Sequence, residues 1–382
     1  MSNDPELPQG RKRPSRWHLP IWYLNLLAVA ALLLAYLSVR VSPVTFWPLA
    51  LFGIAYPYIL CANLLCLVWW LLFRRKRMIP SLVAILLGWG HVGEYVQLFG
   101  DRTKPDNAQT PFRVMSYNVR LFDLYNWTHN KRTHDRLLTF LKQKTPNVLC
   151  MQEFLNTKPD DPMNVRDTLL HHFGFIASTE AYTAHTRWDQ HFGIATFSTF
   201  PIIAKGSIHF PDDLNNLCIW SDIVIGPDTI RVYNAHLASL RFGDLDYRFM
   251  KEIEGGGGRD SISSAAPRIL GRLKNAFIRR ANEVALISAH MEKSPHPVLY
   301  CGDMNDTPMS YSYHELRKAG LTDAFVESGQ GIGHTYIGEF PSFRIDHILH
   351  GPGMQTWDFR TLPDELSDHR AITCEMAITR PR

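Results

Sequence analysis

The sequence predicts an α/β domain carried behind an apolar N-terminal region that enters a membrane. Two observations point to this. From residue 112 onward short β-rich runs alternate with longer helical ones, the pattern of strands packed under helices. Ahead of them, residues 20–39 (PIWYLNLLAVAALLLAYLSV) carry no charge, over roughly the 20 residues a helix needs to cross about 30 Å of hydrocarbon. A chain of 382 residues has room for both. Its 46% hydrophobic and 20% charged residues exclude a disordered or collagen-like polymer.

Residues 1–100 are expected to form a membrane region with two or three transmembrane helices. The first, about 20–39, is too long for the core of a cleaved signal peptide, and no small-residue cleavage site follows, so it reads as an anchor. The second, about 46–73, lies in an uncharged run from Val41 to Phe73 that Pro43, Pro48 and Pro57 interrupt, with Trp69 and Trp70 placed for an interfacial belt. The third, 78–99, contains His91 and Glu94; it either crosses or lies along the membrane or the soluble domain. Arg11, Lys12, Arg13 and Arg16 precede the first helix, and Arg74, Arg75, Lys76 and Arg77 follow the second. Positive charge stays on the cytoplasmic side. A crossing third segment therefore puts the following domain outside the cytoplasm, the orientation expected here, with Arg102 and Lys104 counting weakly against it.

Through residue 105 there are eleven Lys/Arg against four Asp/Glu, whereas the remainder holds 29 basic and 32 acidic residues. Net acidity disfavours a domain built to grip a nucleic-acid duplex, where affinity comes from cations on phosphates. Cys61, Cys66, Cys150, Cys218, Cys301 and Cys374 show no C-x-x-C spacing, and read as buried free thiols rather than a disulfide framework or zinc site.

Residues 101–111 (DRTKPDNAQTP) are polar with two prolines and read as a linker. A second domain is expected over 112–382. In order, its elements are the strand FRVMSYNV, the helix THDRLLTFLKQK, strands NVLCMQE, FGIATFS and TIRVYNAHL, a helix over 268–291, the strand HPVLYCGDMN, a helix over 311–319, and strands FRIDHILH and AITCEMAIT. The GGGG run at 255–258 reads as a flexible insertion, since no strand-to-helix glycine fingerprint surrounds it.

Chemistry collects where these apolar runs end. Asn118 follows RVMSY, Glu153 follows NVLCMQ, Asn234 and His236 lie in VYNAHL, Asp303 and Asn305 follow VLYCG, Asp346 and His347 lie in FRIDHIL, and Ser367-Asp368-His369 precede the last strand. Residues two apart on a strand share a face, so Asn234/His236 and Asp303/Asn305 can act as pairs. Burying such groups without partners costs a few kcal/mol each, so central strands would have to gather them at one polar site. Carboxylates with amides and imidazoles suit a hard cation such as Mg²⁺, and no H-x-x-x-H or Cys/His cluster points to zinc.

The ordered set SYNV, QE, GIATFSTFPI, NAHL, GDMND, RIDHIL and SDH, within residues 112–378, resembles the endonuclease/exonuclease/phosphatase superfamily of metal-dependent phosphohydrolases, and looks closest to bacterial members with N-terminal membrane helices. The resemblance implies a four-layer α/β sandwich, two packed mixed sheets flanked by helices. It implies Glu153 as the principal Mg²⁺ ligand, with Mn²⁺ as a substitute, Asn118 beside it and Asp368 in support. Asp303 would orient or deprotonate the attacking water. Asn305 and Asn234 would hold phosphate oxygens, and His369 would bind and stabilise the phosphoryl group with its tautomer fixed by Asp346. Either His236 or His369 would serve as general acid. Met304 and His347 depart from the family pattern without removing these groups; His347 reads as a structural imidazole, and Arg279, Arg280 and Arg344 either contact an anionic substrate or serve on helix faces and in ion pairs.

The expected activity is hydrolysis of a phosphate ester, most readily a phosphodiester, by a membrane-anchored enzyme. Its partners would be the bilayer and a phospholipid head group or nucleic acid; no protein partner is inferable. The expected location is the bacterial inner membrane with the domain extracytoplasmic. A nuclease acting on DNA or RNA, and an inactive scaffold that binds a phosphorylated ligand, are the alternatives.

Overall fold

The computed structural model describes residues 18–159, 161–240, 259–338 and 343–379, with the side chains of 259–265 excepted. Arg11, Lys12, Arg13, Arg16 and the GGGG run lie outside the described residues.

Two helices are long and apolar enough to cross a membrane, His18–Ser38 and Tyr56–Phe73, about 31 and 27 Å at 1.5 Å per residue. Only 22% and 17% of their apolar windows are buried in the molecule, so most of that surface faces outward. The interrupting prolines start helices: Pro43, Pro48 and Pro57 occupy first turns of Pro43–Phe46, Pro48–Ile54 and Tyr56–Phe73, where a missing N–H removes no helical bond. Residues 78–99 do not form one spanning helix. Helix Ile79–Leu87 stops at Gly88, and Trp89–Gly93 follows. Asn25, Asn63 and Ser81 join the three segments, Ser81 Oγ lying 2.6 Å from Asn25 Oδ1 and 3.1 Å from Asn63 Oδ1.

The strands are β1 Gln109–Asn118, β2 Val148–Asn156, β3 Ala177–His185, β4 His191–Ser198, β5 Ile202–His209, β6 Leu217–Ile225, β7 Asp228–His236, β8 Val298–Asp303, β9 Thr322–Asp323, β10 Asp346–His350, β11 Met354–Thr361 and β12 Ile372–Ile378. They form two mixed six-stranded sheets, ordered β11-β12-β1-β2-β4-β3 and β5-β6-β7-β8-β10-β9. Strand β1 begins inside the expected linker, pairing Gln109 with Ile378.

Between the sheets lies a core that includes Val114, Val148, Cys150, Val232, Leu299, Cys301 and Ile348. Helices Thr133–Lys144 and Val165–His172 cover the first sheet through Leu137, Phe140, Leu141 and Leu169. Helices Arg259–Met291 and Tyr311–Lys318 cover the second through Val284, Ile287, Met291 and Tyr313. The result is the four-layer sandwich. The helix expected from 268 starts earlier and contains Pro267. Cys150, Cys218, Cys301 and Cys374 are free and buried, whereas Cys61 is exposed on its apolar helix.

Period-two alternation places the chemistry. In β1, Met115 and Tyr117 face the covering helices and Val114 faces the second sheet, so Ser116 and Asn118 also face the second sheet. The same count puts Gln152, Asn234, His236, Asp303 and Asp346 in the inter-sheet layer, at the end of their strands' apolar inward positions.

Candidate active site

Strict alternation would turn Glu153 away from this layer, because Met151 and Phe154 both pack under the first sheet's helices. The chain corrects this with a bulge. The β2–β4 register shifts between Met151 and Phe154, and Glu153 adopts a left-handed φ of 48°, a conformation L-residues avoid at about 1–2 kcal/mol. Its carboxylate, 35% exposed, thereby joins the others: Asn118 Nδ2 donates to Glu153 Oε1 at 3.2 Å and to Asp303 Oδ2 at 3.0 Å.

Asp303 is the hub. Its Oδ1 accepts from the Asn305 amide at 2.8 Å, which holds the turn where Asn305 has φ 50°. Its Oδ2 faces two imidazoles, His236 Nε2 and His369 Nε2, each 3.6 Å away. Those gaps exceed a hydrogen bond, and His236 Nε2 is buried without a hydrogen-bond partner. His236 Nε2 also lies 3.9 Å from Glu153 Oε1. His369 Nδ1 pairs with Asp346 Oδ2 at 2.8 Å, fixing the imidazole with Nε2 toward Asp303. Burial alone would lower the His369 pKa; Asp346 and then Asp303 outweigh it and hold the pKa well above its usual value. The ligand atoms of Asp303, Asp346 and His369 lie within 4.8 Å of one another, a buried cluster able to hold a metal ion.

Three expected residues stand differently. Asn234 is fully buried; its amide donates to Met151 O at 3.2 Å and Ala195 O at 2.9 Å and accepts from Gln152 Nε2 at 2.7 Å. With both donor hydrogens committed to main chain, it ties the sheets together, and no proton is left for a phosphate oxygen. Asn305 directs Nδ2 to Leu237 O at 3.0 Å. Asp368 pairs with Arg120, Nε to Oδ2 3.3 Å, and Arg120 stacks on Trp127 with its guanidinium carbon 4.7 Å from the ring centre.

Other side chains support these groups. Gln152 bridges Ser116 and Asn234. Thr335 Oγ1 accepts from the Ile345 and Asp346 amides at 3.0 and 3.1 Å. The Tyr336 ring stands edge-on to His369 at 5.3 Å. Arg280 donates to Asn305 O at 2.6 Å and pairs with Asp306 at 3.2 Å. His347 and Arg344 are buried together: Arg344 donates to Asp323 Oδ2 at 2.8 Å and lies 3.0 Å from His347 Nδ1.

Beside Glu153 and His236 opens a cleft of about 320 Å³ with Leu121, Tyr125, Phe192, Ile194 and Leu217 among its lining residues.

Acids, amides and imidazoles thus converge at one end of the inter-sheet layer of an α/β sandwich. Residues 115–369 match the Endonuclease/Exonuclease/phosphatase family, and the chain belongs to that family. Residues 19–95 match a domain of unknown function, DUF8431. No curated protein matches the chain. Among solved structures, an endonuclease/exonuclease/phosphatase from Beutenbergia cavernae is similar at 14% identity and TM-score 0.51, over 71% of this chain and 72% of that one. The mannosyl-6-phosphatase of Bacteroides thetaiotaomicron gives 15%, 0.51, 70% and 100%. The human Nocturnin catalytic domain, solved with a bound sulfate anion, gives 17%, 0.50, 73% and 97%. At these identities the likeness concerns the fold.

Proposed function

We propose that the chain is a membrane-anchored, Mg²⁺-dependent phosphodiesterase acting on phospholipid head groups. The observation that carries the chemistry is the convergence of Glu153, Asn118, His236 and His369 on Asp303. The donor set fits a hard cation: the carboxylates of Glu153, Asp303 and Asp346 meet, Glu153 remains partly open, and Asp346 Oδ1 is buried without a hydrogen-bond partner. Glu153 would hold Mg²⁺, or Mn²⁺ in its place, with Asn118 and Asp368 in support; when bound, the ion supplies charge that neutralises a phosphoryl oxygen.

The residues of the chain do the rest. Asp303 Oδ2 takes the proton of the attacking water. Asn118 keeps the Glu153 and Asp303 carboxylates in register. His369, cationic beside Asp346, stabilises charge on the phosphoryl oxygens, and His236, close to both Glu153 and Asp303, protonates the departing oxygen. Removing a general acid or base of this kind costs typically 10²–10⁴-fold in rate.

A lipid head group is favoured by where the site sits. Met309, on the loop that leaves Asp303, meets the apolar helices: Ser38 Oγ lies 3.4 Å from Met309 O, and the Met309 amide donates to Tyr95 Oη at 3.3 Å. Arg344, just ahead of Asp346, donates to Glu94 O at 2.8 Å. The chemical end of the sandwich thus adjoins the apolar helices, which would hold it near a bilayer, and the neighbouring cleft is largely apolar. Arg77 reaches back to His18 O at 3.2 Å, at the far end of the same helices. With Arg74, Arg75 and Lys76 it supports an extracytoplasmic domain on the inner membrane.

The test is hydrolysis by full-length protein in detergent of phospholipid vesicles, plasmid DNA and RNA, with Mg²⁺ or with chelator. Mg²⁺-dependent release of head groups, absent in Asp303→Ala, is expected. Turnover confined to nucleic acid, falling steeply with salt, would make the protein a nuclease. Mg²⁺ binding without turnover of any substrate would make it a scaffold.

A further inference from the structure

Outside the catalytic cleft, a second set of metal-ligand side chains meets where the third apolar segment docks on the catalytic domain. His91 and Glu94 come from the end of that segment, and His314 from helix Tyr311–Lys318. His91 Nδ1 lies 2.9 Å from Glu94 Oε2, and His314 Nε2 lies 3.4 Å from the same oxygen. The two rings are 5.2 Å apart, edge to face, and all three ligand atoms fall within 4.8 Å of one another. Around tetrahedral zinc, with bonds of about 2.0–2.1 Å, ligand atoms stand roughly 3.4 Å apart, close to these separations.

Two further features point to a ligand. His314 Nε2 is buried and meets only the Glu94 carboxylate, at 3.4 Å and without hydrogen-bond geometry, so its lone pair or proton is aimed into the space the three side chains share. The surroundings also orient the ligands, as outer partners do in metal sites. Tyr36 stacks on His91 at 5.5 Å and 21°, and its hydroxyl is anchored on Ala84 O at 3.1 Å. Glu94 Oε1 faces Arg317 Nη1 at 3.5 Å, and that guanidinium also donates to Tyr313 Oη at 3.2 Å. Oε2 is thereby left to the two imidazoles.

We propose that His91, Glu94 and His314 bind one Zn²⁺ ion that clamps the third apolar segment to the catalytic domain. Two imidazoles and one carboxylate suit zinc rather than Mg²⁺, and a fourth position is left for water. His91 is 23% exposed, which gives the ion a way in. The ion would join the segment holding Glu94, whose carbonyl binds Arg344, to a helix that begins just beyond the Asp303–Met309 loop.

The test uses full-length protein in detergent carrying Glu153→Gln and Asp303→Asn, so that zinc does not enter the catalytic cleft. The protein is stripped with chelator, dialysed against Zn²⁺, and its zinc counted by mass spectrometry while thermal melting is followed. One equivalent per chain and a zinc-dependent rise in melting temperature are expected, both lost in His91→Ala and in His314→Ala. His314→Cys should retain the metal and, with Co²⁺, show thiolate-to-metal charge transfer. A parent that binds no zinc, or an equivalent that survives both alanine variants, overturns the proposal. Should His314→Ala not fold, the same two outcomes are read from the partly exposed His91→Ala.

Discussion

Glu153 concentrates the trade between stability and function at a single backbone position. Its left-handed φ exists to bring one carboxylate into the inter-sheet layer, and glycine relieves that strain. Glu153→Gly is therefore expected to raise stability by about 1 kcal/mol in denaturant titration while abolishing hydrolysis. A second prediction concerns His369, whose pKa burial alone would lower but Asp346 and Asp303 raise. A raised imidazole pKa contributes stability that is complete below the usual histidine value and lost as pH rises through the folded one. Asp346→Asn removes the largest raising partner, so the alkaline limb of kcat against pH should move to lower pH, with kcat down about 10²-fold. At this scale the sequence was informative where a polar residue ended an apolar run, as at Asn118 and Asp303. It was silent on the partners of Asn234, Met151 O, Ala195 O and Gln152 Nε2, because strand periodicity reports the face a side chain takes and not the neighbours that share its hydrogen bonds.

Strands and helices were legible in proportion to their burial. The interior strands β1, β2, β4, β7, β8, β10 and β12 announced themselves as apolar runs. The four edges, β11, β3, β5 and β9, did not, since an edge strand with solvent on one side carries polar residues such as the lysine and histidine of IIAKGSIH. Interior β6 was also missed, although LCIWSDIVI is apolar; no physical feature of that run explains the omission. Close strand packing yields a prediction at Gly302, where an added Cβ would stand 2.3 Å from Ala235 O on the neighbouring strand. Gly302→Ala should destabilise the chain by roughly 1–3 kcal/mol, measured by urea unfolding. The long helix gives another. Glu283 is buried, its pKa pushed up to about 7 by burial, opposed by the Ala238 amide and increased by Asp213. A raised carboxyl pKa gives stability present below the ordinary value and lost as pH rises through about 7. Glu283→Gln keeps an acceptor for the Ala238 amide, 2.8 Å away, so it should melt higher than the parent at about pH 8 and match it near about pH 4.

At the scale of the whole molecule, the alternation of strand and helix runs predicted an α/β domain, the family resemblance implied the sandwich, and uncharged runs marked the apolar helices, while the way the two parts meet was not legible. The third apolar segment contains His91 and Glu94 because its end is a docking surface: Glu94 O bonds Arg344, and Gln97 pairs with Gly331. Residues read as a linker are partly docked too, Asp101 O accepting from the Asp358 amide at 2.7 Å. If the helices span the membrane, the protein should stay in the membrane pellet after alkaline carbonate extraction, and protease added to spheroplasts should cleave the catalytic domain; protection of that domain would reverse the proposed orientation. The claim on which the rest stands is that groups distant in sequence form one cation-dependent hydrolytic centre. It is tested most directly by titrating Mg²⁺ into chelator-stripped full-length protein while following both bound metal and phosphodiester turnover. Turnover that rises with Mg²⁺ occupancy, with both lost in Glu153→Gln, is the predicted result; turnover indifferent to chelation, or undiminished in Glu153→Gln, would contradict it.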